Sequence, residues 1–233
     1  MPDINIEKTL YKYRREFRKD KFFKKFRSYI YLNKMGFGYN EFCIFWDELI
    51  RSFEKEFSFL EIGVYKGQVL CLAALLAKKY NLNPTIYGLS PLEATYEGQE
   101  RAYDICDYEH LVKTFHKDFG VEFDLDKQII RGYSIVNEVK KRVLKMPKFD
   151  IIYIDGGHDY DTVSSDINLA KTVCKKNGFI ITDDSSCGKN FGAFKHFFHG
   201  HESTSRAVND FLENNPNYSE EHRVGHLRAF RKK

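Results

Sequence analysis

The feature that most restricts the fold of this chain is a short apolar run that ends abruptly in polar residues. The run from Ile151 to Ile154 is followed at once by Asp155-Gly156-Gly157-His158, and a second run over 179–182 is followed by Asp183 and Asp184. Such runs are typical of strands buried on both faces of a parallel sheet. Carboxylates that end these strands lie in the crevice where open α/β sheets bind ligands. The pattern therefore predicts a candidate metal site with a histidine base beside it.

Strand-like and helix-like patterns alternate along residues 57–233. Strands are predicted over 57–62, 85–89, 128–131, 149–154 and 179–182, and helices over 68–79, 109–119, 161–174 and 205–212. Asn177 and Gly178 form a C-cap pattern after one of these helices, and the segments 222–224 and 227–230 alternate like a closing strand pair. Each crossover is long enough for a helix. This order predicts an α/β fold with a mostly parallel sheet, an antiparallel closing strand and helices on both faces.

The first predicted strand runs into a glycine turn. Glu61, Gly63 and Gly67 form the pattern E-x-G-x-x-x-G, and a helical pattern follows from Gln68. Glycine lets a backbone turn sharply and approach a ligand without a Cβ in the way. The spacing differs from the G-x-G-x-x-G of dinucleotide sites, and a purely structural turn also needs glycine. Both a cofactor loop and a structural turn are therefore open at this point.

The ends of the second and third predicted strands carry further candidate residues. In nucleoside-binding α/β folds an acid often ends the second strand and holds the ribose hydroxyls. Ser90 occupies this place, and Glu93 is the nearest acid. The third strand is followed by Tyr133 and by Ser134, which we expect to be the N-cap of the next helix.

The composition is that of a globular domain in a reducing compartment. The chain has 233 residues, 42% of them hydrophobic, a net charge of +4 and no shift in composition that marks a second domain. Its five cysteines include no CxxC pair, and Cys71 and Cys174 fall in helical patterns, as expected for buried thiols. The N-terminus lacks the apolar region of a signal peptide, and no apolar run has membrane-spanning length. We therefore expect a soluble, cytoplasmic protein.

Residues 1–56 are predicted to form a basic, amphipathic helical segment. Residues 8–27 contain ten Lys or Arg and two acids, with aromatic residues at helical spacing, and a second periodic pattern covers 41–55. The simplest interpretation is a solvated basic face over a packed one. The alternatives are a surface for an anionic partner, such as a membrane or a phosphorylated substrate, and a cap over the active site. Nucleic acid is not the expected partner because no RNA-binding signature accompanies the charge.

The segment 185–204 is rich in Gly, Ser and His, and we expect it to be a substrate-side loop. It contains His196, His199 and His201 in the pattern H-x-x-H-x-H. Neither a regular helix nor flanking cysteines accompany the pattern, so we do not expect a metal site from these residues alone.

Taken together, these motifs resemble a known enzyme family. The turn from Glu61 to Gly67 resembles the first motif of class I S-adenosylmethionine-dependent methyltransferases, which have a Rossmann-like sheet. The stretches 149–158 and 178–184 resemble a narrower group, the metal-dependent sugar O-methyltransferases related to macrocin O-methyltransferase. The segments 205–211 and 227–230 also fit this group. The resemblance covers residues 57–233, which we expect to form the methyltransferase domain.

The resemblance implies a function and a set of site residues. It implies methyl transfer from S-adenosylmethionine to a sugar hydroxyl of a glycan or glycosylated small molecule, and homo-oligomers are common in this group. Asp155, Asp183 and Asp184 match ligands of a divalent ion, usually magnesium, and His158 matches the general base, with Asp155 also catalytic. The implied cofactor-binding residues are Glu61, Gly63, Tyr65, Gly67, Ser90, Glu93, Tyr133, Ser134 and Asp155. Because Ser90 stands where the family has an acid, either Glu93 takes over the ribose contact or the cofactor is held less tightly.

These residue types suit the implied chemistry. A sugar hydroxyl is a poor nucleophile at neutral pH, and a coordinated divalent cation stabilises the developing alkoxide. Magnesium prefers hard oxygen ligands, and an imidazole can accept the hydroxyl proton. Each motif alone also has a structural explanation, as a helix cap, a turn or an exposed loop residue. The alternative functions are a metal-independent small-molecule methyltransferase and a non-catalytic cofactor-binding fold with a basic binding surface.

Overall fold

The computed structural model describes residues 5–93 and 107–233, which form one sheet with helices on both faces. The helices are α1 (Ile6–Lys19), α2 (Lys21–Asn33), α3 (Glu41–Arg51), α4 (Gln68–Lys79), α5 (Tyr108–Asp118), α6 (Leu125–Gln128), α7 (Asn137–Leu144), α8 (Tyr160–Val173) and α9 (Glu202–Val208). The strands are β1 (Glu56–Ile62), β2 (Asn83–Ser90), β3 (Ile129–Arg131), β4 (Phe149–Ile154), β5 (Cys174–Thr182), β6 (Tyr218–Val224) and β7 (Leu227–Lys232). A 3₁₀ turn, Gly192–Phe194, and a π-helical turn, Asn209–Glu213, complete the regular structure of these ranges.

The sheet has the strand order β3-β2-β1-β4-β5-β7-β6. Strands β1 to β5 pair in parallel, whereas β7 is antiparallel to both of its neighbours, β5 and β6. The order reverses between β1 and β4, so the carboxyl ends of these two strands flank the crevice of the switch point. The predicted α/β fold, mostly parallel with an antiparallel closing strand, is confirmed.

Alternation along the central strands divides the core between the two faces of the sheet. Phe59, Ile151 and Tyr153 pack on the face that α1–α5 cover. Leu60 and Ile152 point to the other face, where α7–α9 pack. Side chains on successive positions of a strand point to opposite faces, and both faces are covered, which explains why these strands appear in the sequence as continuous apolar runs.

The N-terminal helices belong to the first of these cores. Leu10 and Phe17 of α1 and Phe23 and Phe26 of α2 are buried, while most of the basic residues of these helices are exposed or half-buried. Asp20 ends α1 and caps α2, where its side chain accepts a hydrogen bond from the backbone of Phe23 (3.0 Å). The predicted amphipathic helices with a packed aromatic face are confirmed, although the helix predicted over 41–55 ends earlier, at Arg51.

Two predicted caps are wrong. Helix α7 begins at Asn137 with Val136 at its N-cap, so Ser134 does not cap it. Helix α8 ends at Val173, and Asn177 and Gly178 lie within β5, where its pairing with β4 is irregular. Asn177 has a φ of 64°, and a residue with positive φ suits a bulge in a strand as well as the end of a helix. The sequence signal could not distinguish these two uses.

Some predictions fall outside the described residues. Residues 94–106, which lie between the second and third predicted strands and include Cys106, are not among the described residues. Cys71 and Cys174 are buried free thiols, as expected. Within the described ranges, no helix is both long enough and apolar enough to cross a membrane.

Candidate active site

The glycine turn after β1 lies against the loop after β4. Gly63 has a φ of 95°, and a Cβ at this position would overlap with the backbone carbonyl of Asp155. The backbone N–H of Asp155 donates to the carbonyl of Ile62 (2.8 Å), and that of Gly63 donates to the carbonyl of Leu89 (3.0 Å). Gly67, with a φ of 84°, is the N-cap of α4. Only glycine permits this close approach of the two strand-end loops.

Glu61 lies at the base of this turn with its carboxyl group buried. The side chain is 2% exposed, and one of its oxygens has no hydrogen-bond partner within the described residues. Burial raises the pKa of Glu61 well above its usual range, and the charge of Asp183 adds to the effect, whereas a hydrogen bond from the backbone of Leu70 opposes it. The buried carboxyl group of Glu61, at the glycine turn, is thus close enough to the acidic cluster after β4 and β5 for the charge of Asp183 to affect its pKa.

The residues predicted at the ends of β2 and β3 lie near each other. The hydroxyl of Tyr133 donates to Glu93 (2.9 Å), and this bond, followed by burial, raises the pKa of Tyr133. Ser90 is buried, and its hydroxyl accepts a hydrogen bond from the backbone of Leu92 (3.2 Å). Glu93, the acid nearest to the end of β2, is therefore held beside Tyr133 at the same edge of the sheet.

Ser134 lies beside a carboxylate that the sequence analysis did not identify. Asp166 of α8 is fully buried, and neither of its oxygens makes a hydrogen bond of ordinary geometry within the described ranges. Burial raises the pKa of Asp166 to about 6, and the nearby Ser134 hydroxyl opposes part of this shift. A Cβ on Gly156 would be 3.6 Å from Asp166, so this carboxylate lies behind the loop that follows β4.

The three predicted metal ligands converge at the ends of β4 and β5, where a tyrosine connects two of them. The hydroxyl of Tyr153, on β4, lies 3.1 Å from Oδ2 of Asp155 and 2.8 Å from Oδ2 of Asp183. One hydroxyl proton cannot be donated fully to both carboxylates. Burial, followed by the charges of Asp183 and Asp184, raises the pKa of Asp155 well above its usual range. Three carboxylates in this space repel one another unless a cation or a proton joins them.

A histidine that sequence reasoning missed completes this cluster. His226, in the turn between β6 and β7, places Nδ1 2.8 Å from Oδ1 of Asp183 and 2.8 Å from Oδ1 of Asp184. Burial lowers the pKa of His226, but the two carboxylates outweigh burial and raise it to about 10. The sequence predicts a strand on either side of His226. That prediction does not indicate which side chains the turn between the two strands contacts.

Two further imidazoles lie on the other side of Asp184. Nε2 of His158 is 3.2 Å from Oδ2 of Asp184, and Nε2 of His201 is 3.7 Å from the same oxygen. The two rings are stacked, with their centroids 4.4 Å apart. Burial disfavours the charged form of Asp184, but His158 and His226 outweigh burial and lower its pKa. The predicted base is therefore beside the predicted ligands, and one histidine of the 185–204 segment joins them.

Two groups of donor atoms within the described residues are close enough to hold a cation. They are Asp183, Asp184 and His226, and His158, Asp184 and His201, with the donor atoms of each group within 4.8 Å of one another. Asp184 belongs to both. Carboxylate oxygen and imidazole nitrogen are donors that divalent ions accept, so the residues present fit a divalent metal.

The loop between α2 and α3 contacts two segments that border this site. The Nζ of Lys66, in the glycine turn, donates to the carbonyl of Lys34 (2.9 Å), and the ring of Phe37 stacks on Tyr65 (5.4 Å). At the other end of the loop, the hydroxyl of Tyr39 accepts a hydrogen bond from the backbone of Phe198 (2.6 Å). The loop thus contacts both the glycine turn and the segment that carries His201.

Comparison with protein families identifies a match to the central part of the chain. Residues 60–185 match the family model described as "Methyltransferase domain". The matched residues include the glycine turn, all three carboxylates after β4 and β5, and His158. A curated relative, uncharacterized protein R132 of Acanthamoeba polyphaga mimivirus, is 31% identical over 159 residues. This match spans 67% of the present chain and 65% of the length of the viral protein.

Solved structures share the fold over most of the chain. A putative caffeoyl-CoA O-methyltransferase from Staphylococcus aureus has a TM-score of 0.64 at 15% identity, with 97% of this chain and 99% of that chain covered. The MycE methyltransferase of the mycinamycin biosynthetic pathway, in complex with Mg, SAH and mycinamycin VI, has a TM-score of 0.54 at 21% identity, with 90% and 54% covered. At these identities the likeness establishes the fold.

Proposed function

Because this chain belongs to the methyltransferase-domain family, we propose that it is an S-adenosylmethionine-dependent O-methyltransferase that uses a divalent cation and methylates a sugar hydroxyl. The observation that carries the proposal is the convergence of Asp155, Asp183 and Asp184 beside His158, next to the glycine turn. The MycE complex, which contains Mg, SAH and mycinamycin VI, supports the choice of cofactors.

The cofactor is assigned to the crevice at the switch point of the sheet. Gly63 brings the β1 turn against the β4 loop there, and Glu93 and Tyr133 lie together at the ends of β2 and β3. Carboxylate oxygens suit the ribose hydroxyls, and backbone N–H groups of the turn suit the carboxylate of the amino-acid part. The proposed contact residues are Glu61, Gly63, Tyr65, Gly67, Ser90, Glu93, Tyr133, Ser134 and Asp155.

The proposed metal ligands are Asp155, Asp183 and Asp184. A bound divalent cation supplies Lewis-acid stabilisation of the developing alkoxide. The carboxylates hold the site at the ends of β4 and β5, and the hydroxyl of Tyr153 fixes the orientation of two of them. Burial and the acidic neighbours raise the pKa of Asp155, and a bound divalent cation would offset the repulsion among these carboxylates.

His158 is the proposed general base. Its Nε2 lies 3.2 Å from Asp184, and a proton on Nε2 is oriented by that carboxylate. Nδ1 is then the nitrogen that accepts the proton of the acceptor hydroxyl, as the methyl group moves from the sulfonium sulfur to the oxygen. Most of the acceleration in this scheme comes from holding the hydroxyl in line with the methyl donor.

The acceptor is assigned to the space next to the histidines. Phe198 is 45% exposed and packs edge-on against His201 (5.2 Å) and His226 (5.4 Å). An exposed aromatic ring beside polar groups suits the apolar face of a sugar ring. The N-terminal segment, residues 1–56, is proposed to cap the active site because its loop between Lys34 and Tyr39 contacts the glycine turn at one end and Phe198 at the other.

Isothermal titration tests the cofactor assignment. S-adenosylhomocysteine is expected to bind when magnesium is present, and the absence of binding would refute the function. Methyl transfer to a panel of glycosylated acceptors should stop on EDTA treatment and return with added metal. Activity that survives EDTA would favour the metal-independent small-molecule methyltransferase.

Variants of two histidines test the role of the base. His158→Ala should abolish turnover and leave the affinity for S-adenosylhomocysteine nearly unchanged. His196→Ala, in the histidine-rich segment 185–204, is the control and should keep both, because no contact joins His196 to the carboxylates among the described residues. Equal loss of turnover and cofactor affinity in His158→Ala would show that His158 is structural or binds the cofactor.

A further inference from the structure

His226 reaches the carboxylates of β5 from the far end of the sheet. It occupies the turn between β6 and β7, and its Nδ1 is 2.8 Å from one oxygen each of Asp183 and Asp184. The histidine is only 5% exposed. Aromatic rings surround it, with Phe42 at 4.9 Å and Phe198 at 5.4 Å between centroids. The imidazole is therefore held in place by packing as well as by the two carboxylates.

Nδ1 of His226 lies at the spacing of a neighbouring ligand from each of the two carboxylate oxygens. Ligands at about 2.1 Å from an octahedral ion and at right angles to each other are about 3 Å apart. Both nitrogen–oxygen distances are close to this value. The second oxygen of each carboxylate is directed elsewhere: that of Asp183 toward Tyr153 and that of Asp184 toward His158. One donor atom each of Asp183, Asp184 and His226 thus lies within 4.8 Å of the other two.

We propose that His226 supplies a nitrogen ligand to the divalent cation, beside Asp183 and Asp184. This inference rests on the proposed metal-dependent function and specifies the chemistry of its metal site. An imidazole ligand favours ions that accept nitrogen, such as Mn²⁺ or Co²⁺, relative to Mg²⁺, which prefers oxygen alone. The ratio of the Mn²⁺ affinity to the Mg²⁺ affinity of this protein should therefore be higher than that of a site made only of carboxylates and water.

Electron paramagnetic resonance of Mn²⁺ bound to the full chain tests this inference without any turnover. The wild-type spectrum should contain the hyperfine coupling of a directly coordinated ¹⁴N, replaced by ¹⁵N coupling when histidine is ¹⁵N-labelled. His226→Gln should lose the coupling and bind Mn²⁺ at least about tenfold more weakly. Its preference for Mn²⁺ over Mg²⁺, measured by competition, should fall by a similar factor.

His222→Gln is the matched control. His222 lies in β6, on the same hairpin, and its ring packs near Phe45 (5.8 Å) and Phe179 (6.3 Å) rather than against the carboxylates. This variant should keep the nitrogen coupling and the Mn²⁺ affinity of the wild type. Because the labelled wild-type spectrum is measured on the unaltered protein, the test does not depend on whether His226→Gln folds.

The possible failures have different meanings. Mn²⁺ bound to the wild type without a histidine nitrogen would overturn the inference and leave a carboxylate site in place. Coupling that persists in His226→Gln would assign the nitrogen to another histidine and would also overturn it. If the wild type binds no Mn²⁺ at millimolar concentration, the metal dependence of the proposed function fails together with the inference. Binding of S-adenosylhomocysteine reports separately on the methyltransferase assignment.

Discussion

The buried carboxyl group of Asp166 makes the stability of this protein depend on pH in a direction opposite to that of most paired acids. Burial raises its pKa from the ordinary value of 3.8 to about 6. The folded protein therefore binds this proton more tightly than the unfolded chain does. The contribution to stability is fully present at low pH and is lost as the pH rises from about 4 to just above 6.

The size of this effect follows from the two pKa values. A difference of about two pKa units corresponds to about 3 kcal/mol between the protonated and ionised forms. Asp166 is fully buried without a hydrogen-bond partner of ordinary geometry in the described part of the chain, so solvent screening does not reduce this value much. A loss of this size is a substantial fraction of the stability of a typical domain.

Asp166→Asn tests the reasoning because asparagine imitates the protonated acid. The variant should be more stable than the wild type at pH 7.5, and its advantage should shrink by about 2 kcal/mol at pH 4, where the wild type is itself largely protonated. Urea unfolding followed by circular dichroism at the two pH values measures both quantities. Glu54→Gln, an exposed acid before β1, is the control and should change stability by less than about 0.5 kcal/mol at either pH. An advantage of Asp166→Asn that is equal at both pH values would refute the explanation.

Three further substitutions test other contacts. Gly63→Ala should lower stability by more than about 3 kcal/mol and abolish cofactor binding, because the new Cβ would overlap with the backbone of Asp155. Gly120 also has a positive φ but no heavy atom within 4 Å of the position that a Cβ would take, so Gly120→Ala should cost only about 1–2 kcal/mol. Equal costs of the two variants in urea unfolding would contradict the clash. Tyr153→Phe removes the hydroxyl between two carboxylates and should weaken Mn²⁺ binding about tenfold, and an unchanged affinity would show that the hydroxyl does not orient them. Arg228→Met removes the two hydrogen bonds that Arg228 donates to buried Glu220, at 2.9 and 2.7 Å, and leaves Arg223 as the other cation on that carboxylate. The variant should cost about 2 kcal/mol in urea unfolding, and an unchanged stability would argue against a contribution from this pair.

Much of the sheet could be predicted from local pattern. The helix after the glycine turn and the strand before Asp155 have the predicted bounds, because each combines a clear periodicity with a turn at its end. The convergence of the carboxylates on β4 and β5 was also predictable, since carboxyl ends of neighbouring parallel strands share one edge of a sheet. These inferences need only short-range information and a general rule of topology.

The rest of the candidate site depends on pairings between distant segments. His226 meets Asp183 only because β7 pairs antiparallel with β5, in a register that places Arg228 opposite Thr182. The pattern of the tail predicts two strands but not their place in the sheet. Asp166 had no sequence signal, because a single acid in a helix is usually exposed. The predicted cap at Ser134 failed because the chain forms a turn before α7 begins.

The contact between Gly63 and Asp155 has a thermodynamic consequence. The glycine belongs to the proposed cofactor loop and Asp155 to the proposed cation site, and no side chain separates their backbones. A shift of either loop must therefore move the other, which makes binding at the two sites interdependent. Thermodynamic linkage makes this effect reciprocal. If Mn²⁺ changes the dissociation constant of S-adenosylhomocysteine by some factor, S-adenosylhomocysteine must change the dissociation constant of Mn²⁺ by the same factor. Titrations of each ligand with and without the other should give a common factor different from one, and a factor of one would show that the two loops bind independently despite their contact.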